Sequence, residues 1–219
     1  MRCEMNIFRW LISLLYPRKC PFCRRLIDED KLLCRSCERK LPFITDRPPR
    51  RFGALDECYS ALEYRDAVRE SIHRYKFQGA AAYAEIYGAF LVKCIDENHI
   101  FCDIITWVPL SRARLRKRGY DQTRLLAEYV AAQRGLELMP LLQKKRHNRA
   151  QSSLSGEAAR KANVKDAYSL RSAASPEGKR ILLIDDVVTT GATMSECAGV
   201  LKKAGAATVT GLTVASAGK

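Results

Sequence analysis

Two adjacent carboxylates, Asp185 and Asp186, end a continuous run of apolar, strand-forming residues that starts after Arg180. The loop that follows is small and rich in hydroxyls, and consists of Thr189, Thr190, Gly191, Ala192 and Thr193. A helical pattern comes next, so backbone N–H groups and the positive end of the helix dipole favour a phosphate in this loop. Carboxylates beside that phosphate would bind the hydroxyls of an attached sugar, or a magnesium ion. The pattern predicts a sugar-phosphate site; the alternative is an ordinary strand–turn–helix with a surface acidic pair.

Four cysteines near the N-terminus form two Cys-x-x-Cys pairs separated by ten residues: Cys20, Cys23, Cys34 and Cys37. This spacing supplies the four thiolates of a tetrahedral structural zinc site. A module this small buries too little apolar surface to fold unaided, so the metal would contribute the folding free energy. Redox dithiols and an iron–sulfur cluster are the alternatives. The basic residues around the cluster indicate either a nucleic-acid surface or a solvated face.

A second group of cations lies between Leu110 and Tyr120, a stretch that is predicted to be a loop and contains no acidic residue. Its arginines are Arg112, Arg114, Arg116 and Arg118. Further along, Arg149 and Arg160 belong to a polar, basic stretch predicted to be a mobile flap. Open α/β sheets bind ligands beyond the carboxyl ends of their strands, so these arginines are predicted to contact pyrophosphate or DNA phosphates.

These side chains must be positioned by the elements around them. Buried-strand patterns at 104–108, at 181–184 before the two carboxylates, and at 208–214 alternate with helical patterns whose apolar residues recur at i, i+3, i+4 and i+7. Strands that alternate with helices predict an α/β fold, with a parallel sheet flanked by helices and joined by right-handed crossovers.

The segment at 42–53 contains three prolines and a glycine and is predicted to be a linker. It divides the chain into an N-terminal helix and zinc ribbon at 1–47 and an α/β domain at 54–219. Residues 1–17 hold an apolar run that is too short to span a membrane. Two interpretations of that run remain: a helix packed on the domain, or an anchor at the inner face of the membrane.

The amino-acid composition limits the classes of protein to which this chain can belong. Thirty-eight Lys and Arg face 24 Asp and Glu, which gives a net charge of +14 at pH 7 and favours polyanionic partners. Nine cysteines, an odd number with four in one cluster, argue against a secreted disulfide framework. These features predict a cytoplasmic protein.

The acidic pair and its loop resemble those of type I phosphoribosyltransferases, whose loop holds the 5-phosphate of phosphoribosyl pyrophosphate while paired acids bind the ribose hydroxyls. Two further motifs are Val108-Pro109-Leu110-Ser111 and Arg116-x-Arg118-Gly119-Tyr120-Asp121-Gln122. Together with the cysteine pairs, they make nearly the whole chain similar to the ComF family. That resemblance implies a zinc ribbon on a type I phosphoribosyltransferase fold and the handling of single-stranded DNA during natural transformation. It also implies a competence helicase as a partner.

Two functions therefore remain open. In the first, the protein is a DNA-handling accessory that keeps a phosphate or phosphoribosyl ligand in the loop. In the second, it is an active phosphoribosyltransferase of unknown acceptor, in which Asp185 and Asp186 hold the ribose and Mg²⁺ bridges the diphosphate of phosphoribosyl pyrophosphate.

Overall fold

The computed structural model of the chain describes residues 18–28, 30–145, 166–171 and 175–218. The strands of this part are β1 (Arg50–Phe52), β2 (Leu55–Glu63), β3 (Ile104–Trp107), β4 (Glu137–Leu138), β5 (Leu142–Lys144), β6 (Tyr168–Leu170), β7 (Arg180–Val188) and β8 (Thr208–Ser216). The helices are α1 (Arg35–Lys40), α2 (Asp66–Phe77), α3 (Tyr83–Glu97), α4 (Arg112–Arg118), α5 (Gln122–Arg134) and α6 (Ala192–Lys203).

The main sheet has six strands in the order β1-β2-β8-β7-β3-β4. Only β1 runs antiparallel to its neighbour; the other adjacent pairs are parallel. The register places Ile184 of β7 between Trp107 of β3 and Leu212 of β8. The carboxyl ends of β3, β7 and β8 therefore meet at one edge, and the predicted parallel α/β sheet is confirmed.

Both faces of this sheet are covered. Along β7, Leu182 and Ile184 pack into the cluster formed with α2, α3 and α5, while Ile181 and Leu183 pack into the cluster formed with α6. All four side chains are buried, which explains why the sequence shows a continuous apolar run here instead of an alternating pattern. A second, two-stranded antiparallel sheet of β5 and β6 lies on the α6 side.

The four-cysteine module packs against α2 and α3. The ring of Phe22 stacks on Phe90 and meets Tyr87 edge to face. The guanidinium of Arg74 donates hydrogen bonds to the carbonyl oxygens of Pro21 and Phe22, at 2.8 and 3.2 Å. The module thus shares the apolar core of the α/β domain.

The segment at 42–53 is not a free linker. Phe43 forms a bridge with Leu62 of β2, the backbone N–H of Ile44 donates to the carbonyl of Ala61 at 3.0 Å, and β1 forms the sheet edge. Its prolines suit an edge position, where no ladder hydrogen bond is lost. The division into domains at 1–47 and 54–219 stays a prediction.

The stretch from 110 to 120 was expected to be a loop, and this prediction is wrong because it contains α4. The Ser111 side chain accepts a hydrogen bond from the Arg114 amide, and Gly119 ends the helix in the left-handed conformation. Both are standard helix caps.

Arg149, Arg160 and residues 1–17 lie outside the described residues. Within the described part, no helix has the length and apolarity needed to cross a membrane.

Candidate functional site

The acidic pair lies near the carboxyl end of β7, where the sheet is open on one side. Pairing with β3 stops at Ile184, whereas pairing with β8 continues to Val188. The strand therefore extends two residues beyond the carboxylates, further than the sequence pattern indicated. Neighbouring strand residues face opposite sides, so Asp186 lies toward α2 and α5 while Asp185 lies toward α6.

Asp186 is 5% exposed and both of its oxygens are bound. The Lys76 ammonium, from the last turn of α2, lies 2.6 Å from Oδ1. The side-chain amide of Gln122, the first residue of α5, donates to Oδ2 at 2.8 Å. Asp121 fixes that helix start, because its Oδ1 accepts from the amides of Thr123 and Arg124. The buried Oε1 of Gln122 has no hydrogen-bond partner among the described residues and can accept one from a ligand hydroxyl.

The pKa of Asp185 is shifted by its surroundings. Burial, and then repulsion from Asp186, raises the pKa of Asp185 to about 8. Its Oδ1 accepts a hydrogen bond from the Asp186 amide at 2.8 Å. Lys76 places one positive charge against this acidic pair, 2.6 Å from Asp186 Oδ1, which reduces the repulsion that an anionic ligand would meet.

The hydroxyl-rich loop turns directly into α6. Gly191 has φ 71°, and a Cβ at this position would overlap the Phe52 ring. The Arg50 guanidinium lies 4.6 Å from the Phe52 ring centroid and donates to the Thr189 carbonyl at 3.5 Å. The edge strand β1 thus braces the loop. The first-turn amides of a helix such as α6, which starts at Ala192, have no acceptor within the helix, which suits a phosphate.

The arginines of α4 separate into two groups. Arg114 and Arg118 are four residues apart and line the cleft, whereas Arg112 and Arg116 are exposed. Burial lowers the pKa of Arg118, and its buried Nη1 has no hydrogen-bond partner in the described part of the chain. A desolvated guanidinium of this kind is suited to an anion.

The second sheet supplies one more cation. The Lys144 ammonium donates to the Tyr168 hydroxyl at 2.9 Å and lies 4.7 Å from that ring centroid. Burial, and then repulsion from Arg114, lowers the pKa of Lys144 to about 8.

One cleft brings these groups together at the carboxyl ends of β3 and β7. Its polar and charged lining includes Lys76, Arg114, Arg118, Gln122, Lys144, Asp185, Asp186, Thr189, Thr190 and Thr193, with Gly191 and Ala192 between them. Sequence reasoning gave no role to Lys76, Gln122 or Lys144. Gln122 stood in a motif and Lys144 opened a basic run, but nothing local distinguishes Lys76 from any lysine in the last turn of a helix.

The cysteine sulfurs also come together. The four sulfur atoms lie within 4.8 Å of one another, and they belong to Cys20, Cys23, Cys34 and Cys37. The sulfurs of Cys23 and Cys34 are 3.6 Å apart. Four sulfurs at about 2.3 Å from a zinc ion would be roughly 3.8 Å apart, so the cluster fits structural zinc. The Cys37 amide, 3.4 Å from the Cys34 sulfur, lowers the pKa of Cys34 to about 7.

Comparisons with known families agree with both parts of the chain. Residues 11–62 match the double zinc ribbon domain and residues 124–219 match the phosphoribosyl transferase domain. Among the described residues, the only group of three or more His, Cys, Asp or Glu side chains close enough to share a metal ion is this four-cysteine cluster.

Curated relatives cover most of the chain. The competence protein ComFC of Bacillus subtilis is 30% identical over 200 residues, which cover 89% of this chain and 76% of the relative. The DNA utilization protein YhgH of Escherichia coli K12 is 28% identical over 207 residues, covering 87% and 86%. Among solved structures, the glutamine phosphoribosylpyrophosphate amidotransferase of B. subtilis is 24% identical with a TM-score of 0.42. The match covers 62% of this chain and 26% of that chain.

Proposed function

The chain belongs to the ComFC family of competence proteins, and on that premise we propose that it handles single-stranded DNA during natural transformation and binds a phosphoribosyl pyrophosphate-type ligand in its cleft. The observation that carries the ligand proposal is the junction of the acidic pair with the loop at 189–193 in a cleft lined by cations. The relatives' names, competence and DNA utilization, support the DNA proposal.

Each group has a distinct role toward the ligand. The loop and the start of α6 bind the 5-phosphate. Asp185 and Asp186 bind the ribose hydroxyls, and the unpartnered Oε1 of Gln122 accepts a hydrogen bond from one of them. Arg114 and Arg118 face the pyrophosphate. The carboxylates are oxygen ligands of the kind that Mg²⁺ prefers, and the ion would neutralise charge on the diphosphate.

The second candidate, an active phosphoribosyltransferase, is favoured by the intact acidic pair, because a simple DNA clamp gains nothing from two carboxylates in a basic cleft. In that reaction the bond between C1 of the ribose and the pyrophosphate oxygen breaks. A bond from C1 to the acceptor forms as the acceptor loses a proton. Arg114 and Arg118 would stabilise the negative charge on the departing pyrophosphate.

The ligand proposal is tested by thermal melts with phosphoribosyl pyrophosphate and Mg²⁺. Ligand at about 100 times its dissociation constant adds roughly 2.7 kcal/mol of stability. Asp185→Asn with Asp186→Asn should remove most of the shift and leave binding of inorganic phosphate nearly intact. No shift in the wild type over a wide ligand range would remove the ligand from the proposal. Release of pyrophosphate during incubation with a candidate acceptor would support the transferase.

The DNA proposal is tested separately. Affinity for single strands should fall as about the 0.7 power of salt concentration for each phosphate contact. Arg112→Ala with Arg116→Ala, both exposed on α4, should flatten that slope without changing the melt with phosphoribosyl pyrophosphate. An unchanged slope would mean that α4 does not bind DNA, and the basic zinc ribbon would then be the next surface to test. A competence helicase and the inner face of the membrane are the further partners that this role implies.

A further inference from the structure

An exposed aromatic ring lies beside the cleft. Phe77, the last residue of α2, is 56% exposed, although its neighbour Lys76 lines the cleft and binds Asp186. Large apolar side chains with this exposure are few in the described part of the chain; Phe101, at 74%, is the other aromatic among them. Phe77 therefore places a partly exposed ring beside Lys76 and Arg118, two residues that line the ligand cleft.

Arg118 lies over that ring. Its guanidinium carbon is 4.8 Å from the Phe77 centroid, within the range of a cation–π contact. The same side chain lines the cleft, and its buried Nη1 has no hydrogen-bond partner among the described residues. His73, one turn earlier on α2, places its ring 4.9 Å from the Phe77 ring at an angle of 43°. The exposed ring of Phe77 and the guanidinium of Arg118, which can bind an anion, therefore lie side by side at the edge of the cleft.

This combination of an aromatic ring and a guanidinium is complementary to a nucleotide, which carries a base and a phosphate. Bases stack on aromatic faces and phosphates bind guanidinium groups, and proteins that bind single strands combine the two. Resting on the proposed function, we propose that Phe77 with Arg118 forms a stacking platform for a nucleobase of single-stranded DNA at the cleft mouth. The exposed Arg112 and Arg116 of α4 contact the adjoining phosphates, and Arg118 stays on the Phe77 ring. The net charge of +14 favours a polyanion over an apolar protein surface as the occupant.

The test compares binding of an oligothymidylate and an abasic strand of equal length to the full chain. Phe77→Ala should weaken oligothymidylate binding by about 5- to 150-fold, because one base loses its stacking surface, and should leave the abasic strand unaffected. The salt slope should not change, since no cation is removed. Phe101→Ala is the matched control and should bind both strands as the wild type does. Phe77→Trp should keep the affinity, and its fluorescence should fall when the strand binds.

Each outcome has a distinct meaning. Equal affinity of Phe77→Ala and the wild type for oligothymidylate, or equal losses on both strands, would overturn the platform while the proposed function stands. Binding of neither strand by the wild type would overturn the DNA proposal and the platform with it. The same series with a free nucleoside monophosphate separates the two sources of a base. A loss confined to the free nucleotide would place Phe77 at a transferase acceptor site and overturn the assignment to a strand.

Discussion

Replacing Lys76 with Met tests the charge balance of the acidic pair. The Lys76 ammonium lies 2.6 Å from Asp186, and the two side chains are 22% and 7% exposed. Met keeps most of the aliphatic length but removes the charge, so a carboxylate that is largely buried loses its cation. Removing one partner of a buried pair costs about 3–5 kcal/mol. The partial exposure of Lys76 favours the lower end, about 3 kcal/mol.

The expected loss of stability is large enough to measure in a thermal melt. For a chain of 219 residues, each kcal/mol changes Tm by about 2–4 °C, so Lys76→Met should lower Tm by about 6–12 °C at neutral pH. Adding Asp186→Asn to Lys76→Met should recover most of the lost stability. The double-mutant cycle then measures the coupling free energy between Lys76 and Asp186.

Lys93 provides the matched control. It forms an i, i+4 pair with Glu97 at 3.6 Å, and these side chains are 56% and 47% exposed. Lys93→Met should cost about 1 kcal/mol, because it removes a solvated helix pair and a cation–π contact 4.9 Å from the Phe43 centroid. A Tm for Lys76→Met equal to that of Lys93→Met would refute the reasoning that the Lys76–Asp186 pair holds a buried charge. A deficit that Asp186→Asn does not relieve would do the same.

Three further variants test the rest of the site. Because burial and Asp186 raise the pKa of Asp185 to about 8, the folded state retains a proton that the unfolded state releases above about pH 4. This carboxyl therefore reduces stability as pH rises from 4 to 8, and urea melts of Asp185→Asn should show a flatter pH dependence. Gly191→Ala should cost about 1–3 kcal/mol for φ 71° alone, plus overlap with Phe52 that Phe52→Ala partly relieves. Cys34→Ser should release one zinc per chain in elemental analysis while the α/β domain stays folded; iron, or no metal in fresh wild-type protein, would contradict the zinc assignment.

The fold was largely predictable because its signals are local. A residue such as Leu183 lies in a continuous apolar run, and only a strand buried on both faces needs one. The loop at 189–193 was predictable for the same reason, since a positive φ next to a helix start calls for a glycine and small neighbours. The helix α4 has no such local signal, because its seven residues include only Ala113 and Leu115 as apolar side chains and show no helical repeat. Arginine favours helices, and Ser111 and Gly119 were in place as caps.

The charge balance of the site was not predictable from local patterns. Lys76, Gln122 and Asp186 come from three separate elements, α2, α5 and β7, and no spacing in the sequence relates them. A lysine in the last turn of a helix is explained by the helix dipole alone, so its ion pair with a buried acid adds no signal. Only the packing of the α2 and α5 ends over the carboxyl edge of the sheet brings these groups into contact.

The helical form of α4 also bears on how the two proposed functions could coexist. A loop with five cations would serve either DNA or pyrophosphate, and the two ligands would compete for it. In a helix, residues four apart share a face, so Arg114 and Arg118 line the cleft while Arg112 and Arg116 are exposed. The inner pair can neutralise a small diphosphate while the outer pair attracts a polyanion. Phe77, stacked on Arg118, lies where these two surfaces meet. A strand drawn along the outer surface would therefore present its bases at the mouth of the cleft without displacing the ligand inside.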